Sequence, residues 1–451
     1  MAETLVAEPT TGRTPPGPRQ RGSLGLVRAR RRDPIGLFTR LAREHGDAVR
    51  FRMGPYELTL LSDPDHVQEV LVTRAEHFRK GRMLEGARVI LGDGLLTSEG
   101  EVHRRRRRLV QPAFGHERLE GYAAVMVSHA ERAGARWREG ERIDVASEMP
   151  RLAAGIVAEC LFGADLEPEI AQIEADIADV LRALELVVLP FAGVRMRVPT
   201  RTVRRFRAAK ARLEATVRRI VAERRAGGGE RDDLLAMLLA AQDEDGRGMS
   251  DEELRDEIMT LVAAGLETTA NALTWTWCLL AREPGAEARL HGELDVVLGG
   301  RRPTAADLPA LRVTEAALTE AIRLYPPAWM IGRRCVREAD IGGWRIPEGS
   351  LVLVSPWIVH RDGRHHPDPE RFDPDRWLEP AGGRHRFAYL PFGGGVRKCI
   401  GGGFAMMEGV LVLATLARDW RLRLDGSFPE PLPQITLRAR GPVWMTPERR
   451  G

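Results

Sequence analysis

Apolar residues in this chain recur mostly at helical spacing, broken by short stretches in which they alternate. DPIGLFTRLAREHG opens on an Asp cap and closes on a glycine, which predicts a helix over 33–46. AVRFRMGPYELTLLS alternates on both sides of a Gly-Pro turn and predicts two strands over 48–62. From there to about residue 325 the period is mainly helical. Breaks fall at Gly92-Asp93-Gly94, the 190–199 segment, Gly227–Gly229 and Asp243–Gly248. Short strands are expected within 339–356, followed by a meander rich in Pro, Asp and Arg over 366–380. FAMMEGVLVLATLARDW (404–420) reads as a last apolar helix before a short β tail. Neither a repeat nor a dividing linker is present. The expectation is a mainly α fold with a minor β region, in a single large domain over 23–451. Residues 1–22, rich in Pro, Thr and Arg, are expected to form a disordered tail.

One predicted helix is apolar all round. Ile258–Ala281 holds 24 residues and one charge, Glu267, placed mid-span beside Gly265, Thr268 and Thr269. A helix of that kind either crosses a membrane or lies at the centre of a large protein. The central charge favours the second, and with 43% hydrophobic residues the 451-residue chain can bury it. The N-terminus has no apolar core of signal-peptide length. The four cysteines (160, 278, 335, 399) form no CxxC pair, which suits a reducing cytoplasm and argues against a zinc site or a disulfide framework. A cytoplasmic protein without a membrane anchor is expected. Of 68 basic residues only Lys80, Lys210 and Lys398 are lysines. With a net charge of +4, this arginine bias reads as genomic composition and not as nucleic-acid binding.

The most unusual stretch is PFGGGVRKCIGGGFA, in which six glycines flank Cys399 behind Arg397 and Lys398. Glycines let a backbone approach another group closely, and neighbouring cations favour a thiolate. Alone, Cys399 could be an inert core cysteine or a nucleophile, and the glycines could hold phosphate, although no GK[ST] follows. Inside the apolar helix, Ala264-Gly265-Leu266-Glu267-Thr268-Thr269 combines a helix-interior glycine with a buried acid, both of which cost stability. A back-bonded threonine and a salt-bridged glutamate would be the plain structural explanation. Glu320 and Arg323 share a helix face at i, i+3, as do His103 and Arg107 at i, i+4 within HRRRRR.

Taken together, these motifs resemble those of the cytochrome P450 superfamily, in order and spacing, from PPGP (15–18) to the β tail. The pattern of the 391–405 stretch fits at Phe392, Gly395, Arg397, Cys399 and Gly401. The resemblance implies haem b between a distal helix and the cysteine loop, with the Cys399 thiolate as axial iron ligand. It implies that Phe392 covers the thiolate, that Gly395 and Gly401 clear space for the macrocycle, and that His103, Arg107, Arg333 and Arg397 meet the propionates. The remaining arginines of 104–108 would face solvent and suit an acidic redox partner. Ala264 and Gly265 would leave room for O2, Thr268 would hydrogen-bond it and Glu267 would relay protons. Glu320, Arg323 and Arg371 would form a supporting triad. The implied activity is monooxygenation of an unactivated C–H bond in a hydrophobic small molecule, resembling actinobacterial terpenoid hydroxylases. A separate ferredoxin and its NAD(P)H-dependent reductase would supply electrons to a monomeric enzyme. The pocket is expected to draw on Met83, Leu84, Ile90, Leu186, Val188, Phe191, Leu261, Ala264, Trp329, Ile331 and Ile435. The alternatives are a peroxide-using or rearranging enzyme of the same fold, and a non-catalytic haem-binding sensor.

Overall fold

A computed structural model describes residues 12–19, 22, 24–163, 167–187, 192–227, 233–379 and 382–450. The fold is mainly α with small sheets, as expected. It resolves into two compact units, each assembled from separated stretches of chain.

The sheet-bearing unit combines residues 1–82, 330–369 and 384–399. Its local structure follows the sequence signals closely. Asp33 caps the helix Pro34–His45 by accepting from the Gly36 amide, Pro34 takes the first turn, and Gly46 ends the helix at φ +91°. Strands Ala48–Met53 and Tyr56–Leu61 pair antiparallel around Gly54, whose φ of +62° the turn requires. The sheet then continues through Leu351–Val354, Ile331–Cys335 and Phe78–Lys80. Its one parallel pairing sets Tyr56–Leu61 beside Leu351–Val354, while the others are antiparallel. Leu61, Phe78, Cys335, Val352, Val354 and Leu390 share its core. Residues 12–19 belong to this framework too, against the expectation of a disordered tail. Arg13 bridges Trp344, and the Arg50 amide donates to the Pro16 carbonyl. Residues 1–11 lie outside the described residues.

The helical unit combines residues 83–329, 370–383 and 400–451. Its axis is the helix Asp251–Arg282, started by a capping box between Ser250 and Glu253. Residues 270–280 of that helix are buried against the helices Val145–Phe162, Arg312–Leu324 and Gly402–Asp419. The all-round apolar stretch is thus a central core helix. Among the described residues no helix is long and apolar enough to cross a membrane.

Candidate active site

The expected site residues divide between the two units. Arg333, Ile331, Phe392, Gly395, Arg397 and Cys399 lie in the sheet-bearing unit, and the others that are described lie in the helical unit. Val188 and Phe191 lie outside the described residues.

In the first unit the loop before Cys399 is fixed by its own backbone. The Cys399 amide donates to the Phe392 carbonyl at 2.9 Å. Gly395 sits at φ +66°, and a Cβ there would run into the Leu71 carbonyl. Both facts demand glycine. Cys160, Cys278 and Cys335 are buried, and burial pushes each thiol pKa up. Cys399 alone is exposed. Arg397 donates to the Phe78 carbonyl at 3.3 Å. Two residues further along that strand, Lys80 pairs directly with Arg333 across the ladder, and both are buried. Two buried cations side by side make this face of the sheet positive. Sequence reasoning missed Lys80, although its being one of three lysines in an arginine-biased chain was the available signal.

In the helical unit, the helix Asp251–Arg282 is buried for most of its length but open at one strip. Ala264 is exposed there and Thr268, one turn on, is half-buried. The Thr268 hydroxyl donates to the Ala264 carbonyl at 2.8 Å. Glu267, buried, forms an ion pair with Arg438 of the C-terminal β hairpin. Both bonds of the plain structural explanation are therefore present. The expectation for Gly265 needs correction. A Cβ there would meet Val157 of a neighbouring helix at 3.2 Å, so the glycine makes room for packing behind the helix and not on its open strip. At Gly401 the nearest protein atom to an added Cβ is 3.7 Å away on Phe114. The protein's own atoms do not demand glycine at that position.

The helix Gly100–Val110 carries His103, buried, and Arg107, half-buried, one turn apart. The other arginines do not all face solvent. Arg106 is buried near Glu253 and Glu257, and Arg105 is tied to Asp243 and Glu253. Only Arg104 and Arg108 reach outward, and they pair with Glu101 and Glu244.

The supporting triad also needs correction. Glu320 and Arg323 form a fully buried pair, but the third cation is Arg376, whose Nε donates to Glu320 at 2.8 Å. Arg371 is exposed and contributes only its carbonyl, accepting from Arg323 at 3.1 Å. The Asp373 amide and Trp377 indole also donate to Glu320. Burial pushes the Glu320 pKa up, but the bonds and charge of Arg323, the Arg376 charge and the Asp373 amide outweigh it and hold it below the usual value.

Of the expected pocket residues, Ile90 and Leu261 are packed in the helical core. Met83, Leu84 and Leu186 are half-buried on helices. Trp329 is buried and donates its indole N–H to the Gln434 carbonyl at 2.8 Å, next to half-buried Ile435. Ile331 is half-buried on its strand in the other unit.

A family model described as Cytochrome P450 matches residues 15–444. The chain belongs to the cytochrome P450 family. It is 45% identical to cyclooctatin synthase of Streptomyces melanosporofaciens over 424 residues, 93% of this chain and 92% of that protein. It is 38% identical to cyclooctat-9-en-7-ol 5-monooxygenase of the same organism over 423 residues, 92% of this chain and 89% of that protein. To pentalenene oxygenase of Streptomyces avermitilis it is 39% identical over 397 residues, 87% of this chain and 88% of that protein. This P450 is therefore a monooxygenase, of a family that carries haem with a thiolate ligand and takes O2 and electrons from a redox partner. Its residues fit such a group. In the sheet-bearing unit an exposed thiol in a glycine loop and the buried Lys80–Arg333 pair suit a flat, dianionic macrocycle, and in the helical unit so does a glycine at 401 that protein atoms do not require.

Proposed function

We propose that this P450 hydroxylates an unactivated C–H bond of a terpenoid hydrocarbon or alcohol, with haem b held by Cys399. The observation that carries the reading is the exposure of Cys399 in a loop whose glycine the backbone enforces, in a chain up to 45% identical to Streptomyces enzymes named for terpenoids. When bound, the haem supplies the redox chemistry that divides O2 and places one oxygen atom in substrate.

The chain supplies binding, positioning and protons. Arg397, Arg333 and Lys80 offer charge to one carboxylate-bearing edge, and His103 and Arg107 offer donors from their helix. Thr268 has its own proton committed to the Ala264 carbonyl, so its oxygen presents lone pairs on the open strip and accepts a hydrogen bond there. Glu267, one residue earlier, moves protons towards that strip from solvent. The apolar side chains of Met83, Leu84 and Ile435 exclude water and fit a hydrocarbon. Electrons come from a ferredoxin and its NAD(P)H-dependent reductase, and the enzyme works as a cytoplasmic monomer.

The deciding experiment combines two measurements. Titrating the haem-loaded protein with a panel of terpenes and fatty acids is expected to move the ferric spin state with terpenes only. Cys399→Ser is expected to abolish the red-shifted Soret band of the reduced CO adduct. A preference for fatty acids would sink the substrate class, and survival of the band would sink the ligand assignment. Full turnover with peroxide and no NAD(P)H would favour the peroxide-using alternative.

A further inference from the structure

The acid in the distal motif is not held by its own helix. Glu267, Asn271 and Trp275 lie at i, i+4 and i+8 and form one stripe along the helix Asp251–Arg282. Three consecutive residues of the C-terminal hairpin engage that stripe. Arg438 pairs with Glu267, the Asn271 side chain donates to Thr436 Oγ1 at 3.1 Å, and the Trp275 indole donates to the Leu437 carbonyl at 3.1 Å. The hairpin itself pairs Pro431–Pro433 with Leu437–Ala439. Its tip is fixed from the other side, where Trp329 donates to the Gln434 carbonyl and the Leu437 amide donates to the Pro327 carbonyl at 3.0 Å. Between these anchors stands Ile435, an apolar side chain on a segment otherwise held by polar bonds.

The geometry points to Arg438 as the positioning residue for Glu267, and to the 434–438 segment as the element that makes proton delivery depend on an apolar occupant at Ile435. The inference rests on the reading of Glu267 as the proton relay. A buried ionised carboxylate is stable only when it is paired, and among the described residues Arg438 is the partner of Glu267, so the carboxylate follows the guanidinium. Arginine does not give up its proton, so Arg438 cannot itself carry one to Glu267. It reaches the buried carboxylate from a more exposed position, which puts the guanidinium on the solvent side of the pair. Proton traffic through Glu267 therefore requires the guanidinium to swing aside. The guanidinium stands three residues from Ile435 on a segment short enough to transmit a shift at one end to the other. An apolar molecule pressing on Ile435 displaces Arg438, and Glu267 exchanges protons only then.

The test uses the full-length, haem-loaded protein, with farnesene as the probe and a plant-type ferredoxin and its reductase as donor. O2 consumption is measured with and without farnesene, in H2O and in D2O. Wild type is expected to show a several-fold stimulation by farnesene and a solvent isotope effect that shrinks when farnesene is added. Arg438→Gln is expected to raise the farnesene-free rate several-fold, so that the stimulation falls towards one, with more peroxide per electron. Arg438→Lys is expected to restore the wild-type ratio. Farnesene's spin-shift affinity should stay near wild type in Arg438→Lys and tighten several-fold in Arg438→Gln, where no ion pair has to be displaced, and retained binding in both excludes a collapsed site. Glu267→Gln separates the two readings. If it abolishes the isotope effect while Arg438→Gln keeps the wild-type stimulation, the relay stands and the gate is overturned. If Glu267→Gln leaves rate and isotope effect intact, the relay fails and the gate with it. Should Arg438→Gln not fold, hydrogen exchange of the 432–440 peptide in wild type decides. Farnesene at saturation is expected to change its exchange several-fold, and no change overturns the proposal.

Discussion

Glu408 lies on the helix Gly402–Asp419 with no exposure at all, and neither carboxylate oxygen has a hydrogen-bond partner among the described residues. Burial pushes its pKa up to about 8, and the nearby Thr269 hydroxyl eases this only slightly, without reaching bonding geometry. The group is therefore neutral in the folded protein at pH 7 and ionised in the unfolded chain. The folded state binds more protons between the two pKa values, so stability falls as pH rises from the ordinary glutamate value towards 8. At about 1.4 kcal/mol per unit, the penalty is under about 1 kcal/mol near pH 5 and roughly 4 kcal/mol near pH 8. Unfolding entropy of about 2.1 cal/mol/K per residue, over this length, converts a difference of roughly 3–4 kcal/mol into about 3–4 °C of Tm. Glu408→Gln removes the titration and leaves the volume almost unchanged. Melting both proteins between about pH 5 and about pH 8 should show the variant gaining about 3–4 °C on wild type as pH rises. Groups common to both proteins cancel in that difference. Infrared spectra should also lose a protonated-carboxyl band in the variant. A Tm gap that stays constant across the pH range would refute the reasoning.

Other consequences follow from single contacts. Glu320→Gln unbalances a buried cluster and is expected to cost about 3–5 kcal/mol in denaturant unfolding, whereas Arg371→Ala should change stability by less than about 0.5 kcal/mol and Arg376→Ala by several times more. Gly395→Ala must adopt φ +66° against the Leu71 carbonyl, so a loss above about 2 kcal/mol and poor haem retention are expected, read by melting and by the haem-to-protein absorbance ratio. Gly265→Ala should lower Tm by crowding Val157, and Val157→Ala in the same chain should recover most of the loss. Thr268→Ala should leave the ferric spin shift intact but divert electrons to peroxide; normal coupling of NAD(P)H to product would count against its role.

Elements whose signals are local were legible in the sequence. The Asp33 cap, Pro34 and Gly46 lie next to the helix they delimit, and the Gly54 turn lies between the strands it joins. The last apolar helix was placed within about two residues, which is the ordinary uncertainty of helix ends. Missed elements lack such signals. Phe78–Lys80 and Ile143–Asp144 are too short to show a period and exist because neighbouring strands offer them a ladder. The helix Leu24–Arg32 has no buried residue and so no apolar stripe to betray it.

The same distinction explains what was and was not legible in the site. Features fixed by spacing along one segment, such as the glycines that flank Cys399, stood out in the sequence. Partners chosen by topology did not. Glu267 and Arg438 are 171 residues apart, and nothing in LRARG marks one arginine above its neighbours. Arg376 and Arg371 stand in similar Pro-acid-Arg-aromatic contexts, PDRW and PERF, and only the fold presents one side chain to Glu320 and the other to solvent. Each of these partners stabilises a charge that an apolar core would otherwise reject. A buried acid that is to stay ionised in an apolar helix therefore needs a cation from elsewhere, and the choice of that cation determines what moves with the acid. In this P450 it is carried by a hairpin that also carries Ile435, so the partner of the buried acid sits on a segment with an apolar side chain of its own.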